Sequence, residues 1–168
     1  MTKDELVAVV EASWRHLDSS VEGLDETAML EPGVVGDWSI KDTLGHVTAC
    51  DGLVVLYLER RRRGEPQPEG DGDSVDEYNA REATRRRGWS LAHILDEAAD
   101  IRGRLRTLLA DLTDEEWEEQ VTINGRQRRL GEWAGDELGG DDGPGTHAAE
   151  HAAEIESWRA AHERRGGS

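Results

Sequence analysis

The clearest structural pattern in the chain is SLAHILDEAADIRGRLRTLLADL, residues 90–112. Its apolar residues recur at spacings of three and four, the period of an amphipathic α-helix with one buried face. This stretch predicts a long helix, begun by Ser90, that needs partner helices to cover its apolar side. The residues predicted to face the core are Leu91, Ile94, Leu95, Ala98, Ile101, Leu105, Leu108, Leu109 and Leu112.

Three further segments show the same period and predict long helices at about residues 3–22, 40–62 and 146–164. The first two follow capping boxes, Thr2–Glu5 and Ser39–Asp42, in which side chains satisfy the free amide groups of the first turn. Four long helices with no strand-like alternation of useful length predict an all-α four-helix bundle. Shorter helices are expected at 74–87, around Trp117 and at 130–138.

Glycine and proline mark the connections between these helices. Residues 64–73 predict a long polar crossover connection, and Gly139–Gly145 predicts a break before the last helix. Glu31-Pro32-Gly33 ends the first helical region, and Val121–Arg126 is compatible with a brief hairpin or turn. We expect one domain over residues 1–165, followed by a flexible tail at 166–168.

The charge balance excludes several classes of function. There are 37 acidic and 20 basic residues and a formal net charge of -17, which disfavours nucleic acids and anionic membrane surfaces as partners. One cysteine, Cys50, excludes an intrachain disulfide framework and a CxxC site. The acidic start, Met1–Glu5, is unlike a secretory signal, and no run is apolar enough for a membrane span, so we expect a cytoplasmic protein.

Histidine spacing points to a metal site. His147 and His151 are four residues apart, so on a helix they project from one face and could share one ion. His46, in the middle of the second long helix, is the histidine most apt to face inward and supply a third ligand. A chance pair and a hydrogen-bonded core histidine remain alternatives at this point. The other three, His16, His93 and His162, are expected at the surface or in local hydrogen bonds.

The string His147-Ala148-Ala149-Glu150-His151 also matches H-x-x-E-H, in which two histidines bind Zn²⁺ and the glutamate activates water. Glu150 is therefore a candidate catalytic residue, although it could equally be a solvated helix residue. The peptidases that carry this motif are large two-layer proteins, which disfavours a peptidase. Glu154, one turn after His151, is a candidate hydrogen-bond partner for that ring.

The order of these motifs resembles the DinB/YfiT-like superfamily. Gly36-Asp37-Trp38-Ser39-Ile40-Lys41-Asp42-Thr43-Leu44-Gly45-His46 resembles its G-W-S-x-x-D-x-x-x-H segment. Asp76-Glu77-Tyr78-Asn79 resembles its D-x-x-N stretch, and His147–Trp158 resembles its C-terminal H-x-x-E-H-x-x-x-I-x-x-W helix. The resemblance spans almost the whole chain and departs from the family at the Gly139–Gly145 interruption.

The resemblance implies a bacterial four-helix bundle of DinB/YfiT type in which His46, His147 and His151 bind a divalent metal ion. Zn, Ni and Fe all suit imidazole ligands. The implied function is a metal-dependent transferase that uses a low-molecular-weight thiol, such as mycothiol or bacillithiol, on small electrophiles. The alternatives are a metal-dependent hydrolase of a reactive small molecule, of the toxin self-resistance type, and a non-catalytic metal-binding stress-response bundle. A homodimer is also expected from the family.

Overall fold

Helices make up most of the protein. The computed structural model describes residues 1–66, 75–123 and 125–166. The helices are α1 Lys3–Val21, α2 Glu26–Leu30, α3 Ile40–Arg62, α4 Val75–Arg86, α5 Leu91–Asp111, α6 Asp114–Trp117, α7 Leu130–Glu137 and α8 His147–Gly166. The strands are β1 Pro32–Val35, β2 Trp38–Ser39, β3 Gln120–Ile123 and β4 Arg126–Arg129.

Four long helices form the bundle, as the sequence predicts. The most extensive packing is of α3 against α5 and of α1 against α8. α4 lies on the crossover between α3 and α5 and packs on α3. The parts of the predicted crossover and its Ser74 cap that fall in 67–74 lie outside the described residues, as do residues 167 and 168 of the predicted tail.

The core is the apolar interior shared by these helices. Its fully buried side chains include Leu6 and Leu17 of α1, Leu58 of α3, Leu105 of α5 and Ile155 of α8. Leu95 was expected to face this core but is 44% exposed. Leu95 is at the edge of the apolar stripe. Its neighbour Ile94 is buried, whereas the helices packed on α5 do not cover Leu95.

Two short antiparallel hairpins join the helices. The β3–β4 hairpin, with Val121 opposite Arg128, confirms the expected turn near 121–126. The β1–β2 hairpin was not predicted; Val35 pairs with Trp38 across a turn in which Gly36 has a φ of 57°. β1 packs on α8 and β2 leads directly into α3. The hairpin therefore ties together the two helices that carry the candidate ligands.

None of the described helices is long and apolar enough to cross a membrane. The expected cytoplasmic location stays a prediction, and so does the expected homodimer.

Candidate metal centre

The beginning of α3 positions His46. The Ser39 hydroxyl accepts a hydrogen bond from the Asp42 amide at 3.2 Å, and the Asp42 carboxylate accepts one from the Ser39 amide at 3.0 Å. This capping box fixes the start of the helix, and His46 lies two turns further on. The Trp38 ring, immediately before the cap, lies 5.1 Å from the His46 ring between centroids.

The beginning of α8 positions the other two histidines. His147 is the first residue of the helix and His151 lies one turn later on the same face. The buried Ser13 hydroxyl of α1 accepts a hydrogen bond from the Ala149 amide at 2.6 Å. The same amide also donates to the Thr146 carbonyl at 2.9 Å, so it is shared between the two acceptors, and the bond to Ser13 links the start of α8 to α1.

The His147 ring lies between the other two, and its Nε2 atom is close to the Nε2 atom of each. Nε2 of His147 lies 3.1 Å from Nε2 of His46 and 3.2 Å from Nε2 of His151. A ring nitrogen has either one hydrogen or one lone pair in the ring plane, so the His147 nitrogen cannot make two good hydrogen bonds at once. A cation bound by the lone pairs of these nitrogens would remove that conflict.

These distances fit a metal ion. Ligand nitrogens at about 2.0–2.1 Å from one tetrahedral ion lie about 3.3–3.4 Å apart. The observed separations of 3.1 and 3.2 Å are close to that value. Three protein ligands leave a position for water or substrate, which is the arrangement of catalytic rather than structural sites. The residues present therefore fit a divalent ion.

The rings of His46 and His147 are neutral at physiological pH. Burial, together with the nearby His147 and His151 rings, lowers the pKa of His46 to about 3. Burial, together with His151, lowers the pKa of His147 to about 4. Neutral imidazoles keep the lone pair that metal binding requires.

The second ring nitrogens have different surroundings. Nδ1 of His151 lies 2.6 Å from Oε2 of Glu154, as the spacing of these two residues predicts. Such a carboxylate contact fixes the tautomer and orientation of a metal-binding ring. Nδ1 of His147 is buried and has no hydrogen-bond partner among the described residues.

Cys50 approaches the site from the opposite side of His46. Its Sγ lies 3.9 Å from Nδ1 of His46, and the ligand atoms of His46, Cys50 and His147 lie within 4.8 Å of one another. Burial, together with the neighbouring Asp51 and Glu137, raises the pKa of the thiol to about 12. The thiol is therefore protonated at neutral pH and is a poor nucleophile in this state.

Glu150 is turned away from the ring cluster and toward the loop that precedes α8. Its Oε1 accepts a hydrogen bond from the Asp142 amide at 2.8 Å and lies 3.1 Å from the Thr146 hydroxyl. Burial acts to raise the pKa of this carboxyl, but the hydrogen bonds from Asp142, Asp141 and Thr146 bring it below its ordinary value. The carboxylate is thus charged and occupied by loop donors.

The remaining histidines lie away from the three-ring cluster, as expected. His16 of α1 pairs with Glu156 at 3.0 Å, and the His93 amide donates to the Ser90 hydroxyl at 3.1 Å. The His162 ring stacks on Trp158 with centroids 4.8 Å apart.

Two features beside the site were not foreseen from the sequence. A groove of about 460 Å³ runs between β1 and α8, and Val34, Glu154, Ser157 and Trp158 line it. Because Glu154 also holds His151, the groove adjoins the ring cluster. The second feature is the contact of the Ser13 hydroxyl with the start of α8. The pattern of apolar residues in α1 gives no sign that this serine differs from the others.

A family model described as the DinB superfamily matches residues 10–135. The matched segment contains His46 and ends before His147 and His151, so the family match by itself does not reach the candidate ligands of α8. No curated protein matches the chain.

Solved structures show the same fold. An uncharacterised protein from Escherichia coli UTI89 has a TM-score of 0.78 and 14% identity, with 96% of this chain and 95% of that one covered. The colibactin self-resistance protein ClbS, solved in complex with a dsDNA, has a TM-score of 0.74 and 12% identity, with coverages of 94% and 95%. The mycothiol-dependent maleylpyruvate isomerase has a TM-score of 0.69 and 14% identity, and the match covers 92% of this chain and 61% of the isomerase.

Identities this low support the fold and no more than the fold. The family match extends over more than half of the residues, and the helical bundle agrees with it. The chain belongs to the DinB superfamily.

Proposed function

We propose that this protein is a divalent-metal-dependent enzyme in which His46, His147 and His151 bind the metal ion. The observation that supports this most directly is that Nε2 of His147 lies 3.1 Å from Nε2 of His46 and 3.2 Å from Nε2 of His151 in a half-buried cluster. Bound there, a divalent ion lowers the pKa of a thiol or water in its open position, which supplies a nucleophile at neutral pH.

The reaction that we propose is the transfer or use of a low-molecular-weight thiol, such as mycothiol or bacillithiol, on a small electrophile. The similarity to the mycothiol-dependent isomerase supports it. Cys50 is the single cysteine and is half-buried beside His46, so the thiol in this proposal is a separate molecule. Trp38 and the groove beside Glu154 offer apolar surface to such a substrate.

The protein's residues have distinct roles in this proposal. Glu154 orients the His151 ring. The contact at 2.6 Å places the ring proton on Nδ1, which leaves the lone pair on Nε2, the nitrogen that faces His147. The capping box of α3 and the bond from Ala149 to Ser13 hold the two ligand-bearing helices. Burial of the His46 and His147 rings lowers their pKa values, so protons do not compete for these nitrogens at neutral pH.

A metal-dependent hydrolase of a reactive small molecule is the second candidate. The observation in its favour is the similarity to ClbS, a self-resistance protein. The same ion could activate water instead of a thiol. Consumption of the electrophile in the absence of any thiol would distinguish the hydrolase from the transferase.

Metal analysis of the purified protein tests the shared premise. We expect about one divalent ion per chain for the native protein and a large loss for His46→Ala, because three ligands are needed for a stable site. His16→Ala, at a histidine outside the cluster, is the matched control and should keep the ion. Less than about a tenth of an ion per chain, under non-chelating conditions, would contradict the site.

If the metal is present, thiol consumption with mycothiol or bacillithiol and a model electrophile measures the transfer. We expect His46→Ala to lose this activity while the far-ultraviolet circular dichroism spectrum stays helical, since apolar burial supplies most of the bundle's stability. A large fall in melting temperature with no activity in the native protein would instead indicate a non-catalytic bundle with a structural ion.

A further inference from the structure

The backbone around His147 differs from that around the other two candidate ligands. His46 lies about two turns inside α3, and His151 lies one full turn inside α8. His147 is the first residue of α8 and directly follows the glycine-rich loop at 139–146. Its own amide donates to the Leu138 carbonyl at 3.3 Å, across the base of that loop. The position of His147 therefore depends on how the loop is held.

The ring of His147 also lacks the side-chain support that His151 has. Glu154 contacts Nδ1 of His151 at 2.6 Å, whereas Nδ1 of His147 is buried without a partner among the described residues. Outer hydrogen bonds normally orient a metal-binding imidazole. Since none does so here, the backbone has to orient the His147 ring.

Glu150 connects this backbone to the loop. Its Oε1 accepts the Asp142 amide at 2.8 Å and lies 3.1 Å from the Thr146 hydroxyl, whose proton is shared with the Gly143 carbonyl at 2.7 Å. The carboxyl group lies directly over Gly140: a Cβ at that residue would overlap both carboxyl oxygens. The missing side chain at Gly140 thus makes the space in which the carboxylate sits.

We propose that Glu150 is a positioning residue for His147: its carboxylate clamps the loop at 139–146 to the first turn of α8 and so sets the metal-binding geometry of that ring. The inference rests on the proposed function, because it assumes that His147 binds the ion. It assigns Glu150 a different role from the water-activating glutamate of H-x-x-E-H, since the carboxylate accepts loop donors instead of facing the three Nε2 atoms.

Three variants separate the clamp from a catalytic base. Glu150→Ala removes the carboxylate, and Gly140→Ala displaces it without altering Glu150. Glu150→Gln keeps an oxygen that can accept the Asp142 amide but cannot act as a base. Glu156→Ala, at an exposed glutamate of the same helix, is the matched control.

The measurements are Zn²⁺ affinity by competition with a chelating dye, the absorption spectrum of the Co²⁺ form, and hydrogen exchange at the Asp142 amide. We expect Glu150→Ala and Gly140→Ala to weaken Zn²⁺ binding about tenfold or more and to change the Co²⁺ spectrum. Exchange at Asp142 should accelerate in both. Glu150→Gln should stay within about threefold of the native affinity, because its amide oxygen preserves the main contact, and Glu156→Ala should be unchanged.

Either of two results would overturn the clamp. One is native Zn²⁺ affinity and a native Co²⁺ spectrum in both Glu150→Ala and Gly140→Ala. The other is a Glu150→Gln protein that loses all activity with native affinity and native Asp142 exchange, which identifies a base. A native protein that binds neither Zn²⁺ nor Co²⁺ overturns the proposed function and the clamp together, so the two failures are distinguishable.

Discussion

Asp51 is a carboxyl group enclosed by the bundle, on α3 and 4% exposed. The Trp14 indole of α1 donates a hydrogen bond to its Oδ2 at 2.9 Å. Burial raises the pKa of Asp51 to about 7, and the contributions of Trp14 and Arg102, which act in the opposite direction, do not offset it. The folded protein therefore keeps a proton on Asp51 at pH values at which the unfolded chain has lost it.

This difference makes stability depend on pH. Between the ordinary pKa of 3.8 and about 7, the folded state binds more protons than the unfolded state, so the free energy of unfolding falls as the pH rises. Asn at this position is neutral throughout and still accepts the Trp14 bond. We expect Asp51→Asn to gain melting temperature relative to the native protein on going from pH 5 to pH 8, by about 3 °C or more.

Differential scanning calorimetry at the two pH values checks this, with Asp76→Asn, at an exposed position of α4, as the control. A melting-temperature difference between Asp51→Asn and the native protein that is the same at pH 5 and pH 8 would contradict the buried, protonated carboxyl.

Alanine in place of either of two helical glycines is expected to change the free energy of unfolding in opposite directions. A Cβ on Gly131 of α7 would overlap the buried Trp117 ring of α6, whereas a Cβ on Gly103 of α5 has no heavy atom within 4 Å. We expect Gly131→Ala to lower the free energy of unfolding by about 1–3 kcal/mol, because the ring and the helix must move apart.

Gly103→Ala is the matched variant and should raise the free energy of unfolding by about 0.5–1 kcal/mol, because alanine loses less backbone entropy in a helix. Urea denaturation measures both values. Equal destabilisation by the two substitutions would show that the close packing of α6 on α7 is not the cause.

Helix starts could be predicted because they depend on neighbours within one turn. Thr2 and Ser39 make the capping boxes that their sequences predict, and Glu154 meets His151 three residues away. The β1–β2 hairpin was missed although Gly36-Asp37 between Val35 and Trp38 is a two-residue turn signal. Its strands are too short to show alternation.

The candidate site could be predicted only in part, because its ligands come from two helices. Spacing places His147 and His151 on one face, but the approach of His46 depends on how α3 packs near α8, which periodicity does not specify. The direction of Glu150 depends on a loop in which Gly143 and Gly145 have φ values of 120° and 80°. The H-x-x-E-H pattern does not contain that information.

The net charge of -17 and the ion pairs of the arginines both disfavour a polyanionic partner such as a nucleic acid. The basic run at the end of α3 is neutralised by acidic neighbours: Arg61 pairs with Glu116 at 3.0 Å and with Glu119, and Arg62 pairs with Asp111 at 3.0 Å. These contacts pair Arg61 and Arg62 with carboxylates of the same chain. The run therefore offers little free positive charge to a phosphate backbone.

The charge of the protein disfavours nucleic acids as partners, and duplex DNA is the one to test because ClbS was solved in complex with a dsDNA. Nucleic-acid affinity depends on positive charges that neutralise phosphates, and a strongly acidic protein is repelled at long range. We expect no change in the fluorescence anisotropy of a labelled duplex at about 150 mM salt, and at most weak binding at about 50 mM.

The double variant Glu116→Gln/Glu119→Gln, which frees Arg61 from its partners, should bind no less than the native protein. Saturable, micromolar binding by the native protein at the higher salt would contradict a small-molecule substrate class and favour a nucleic-acid one.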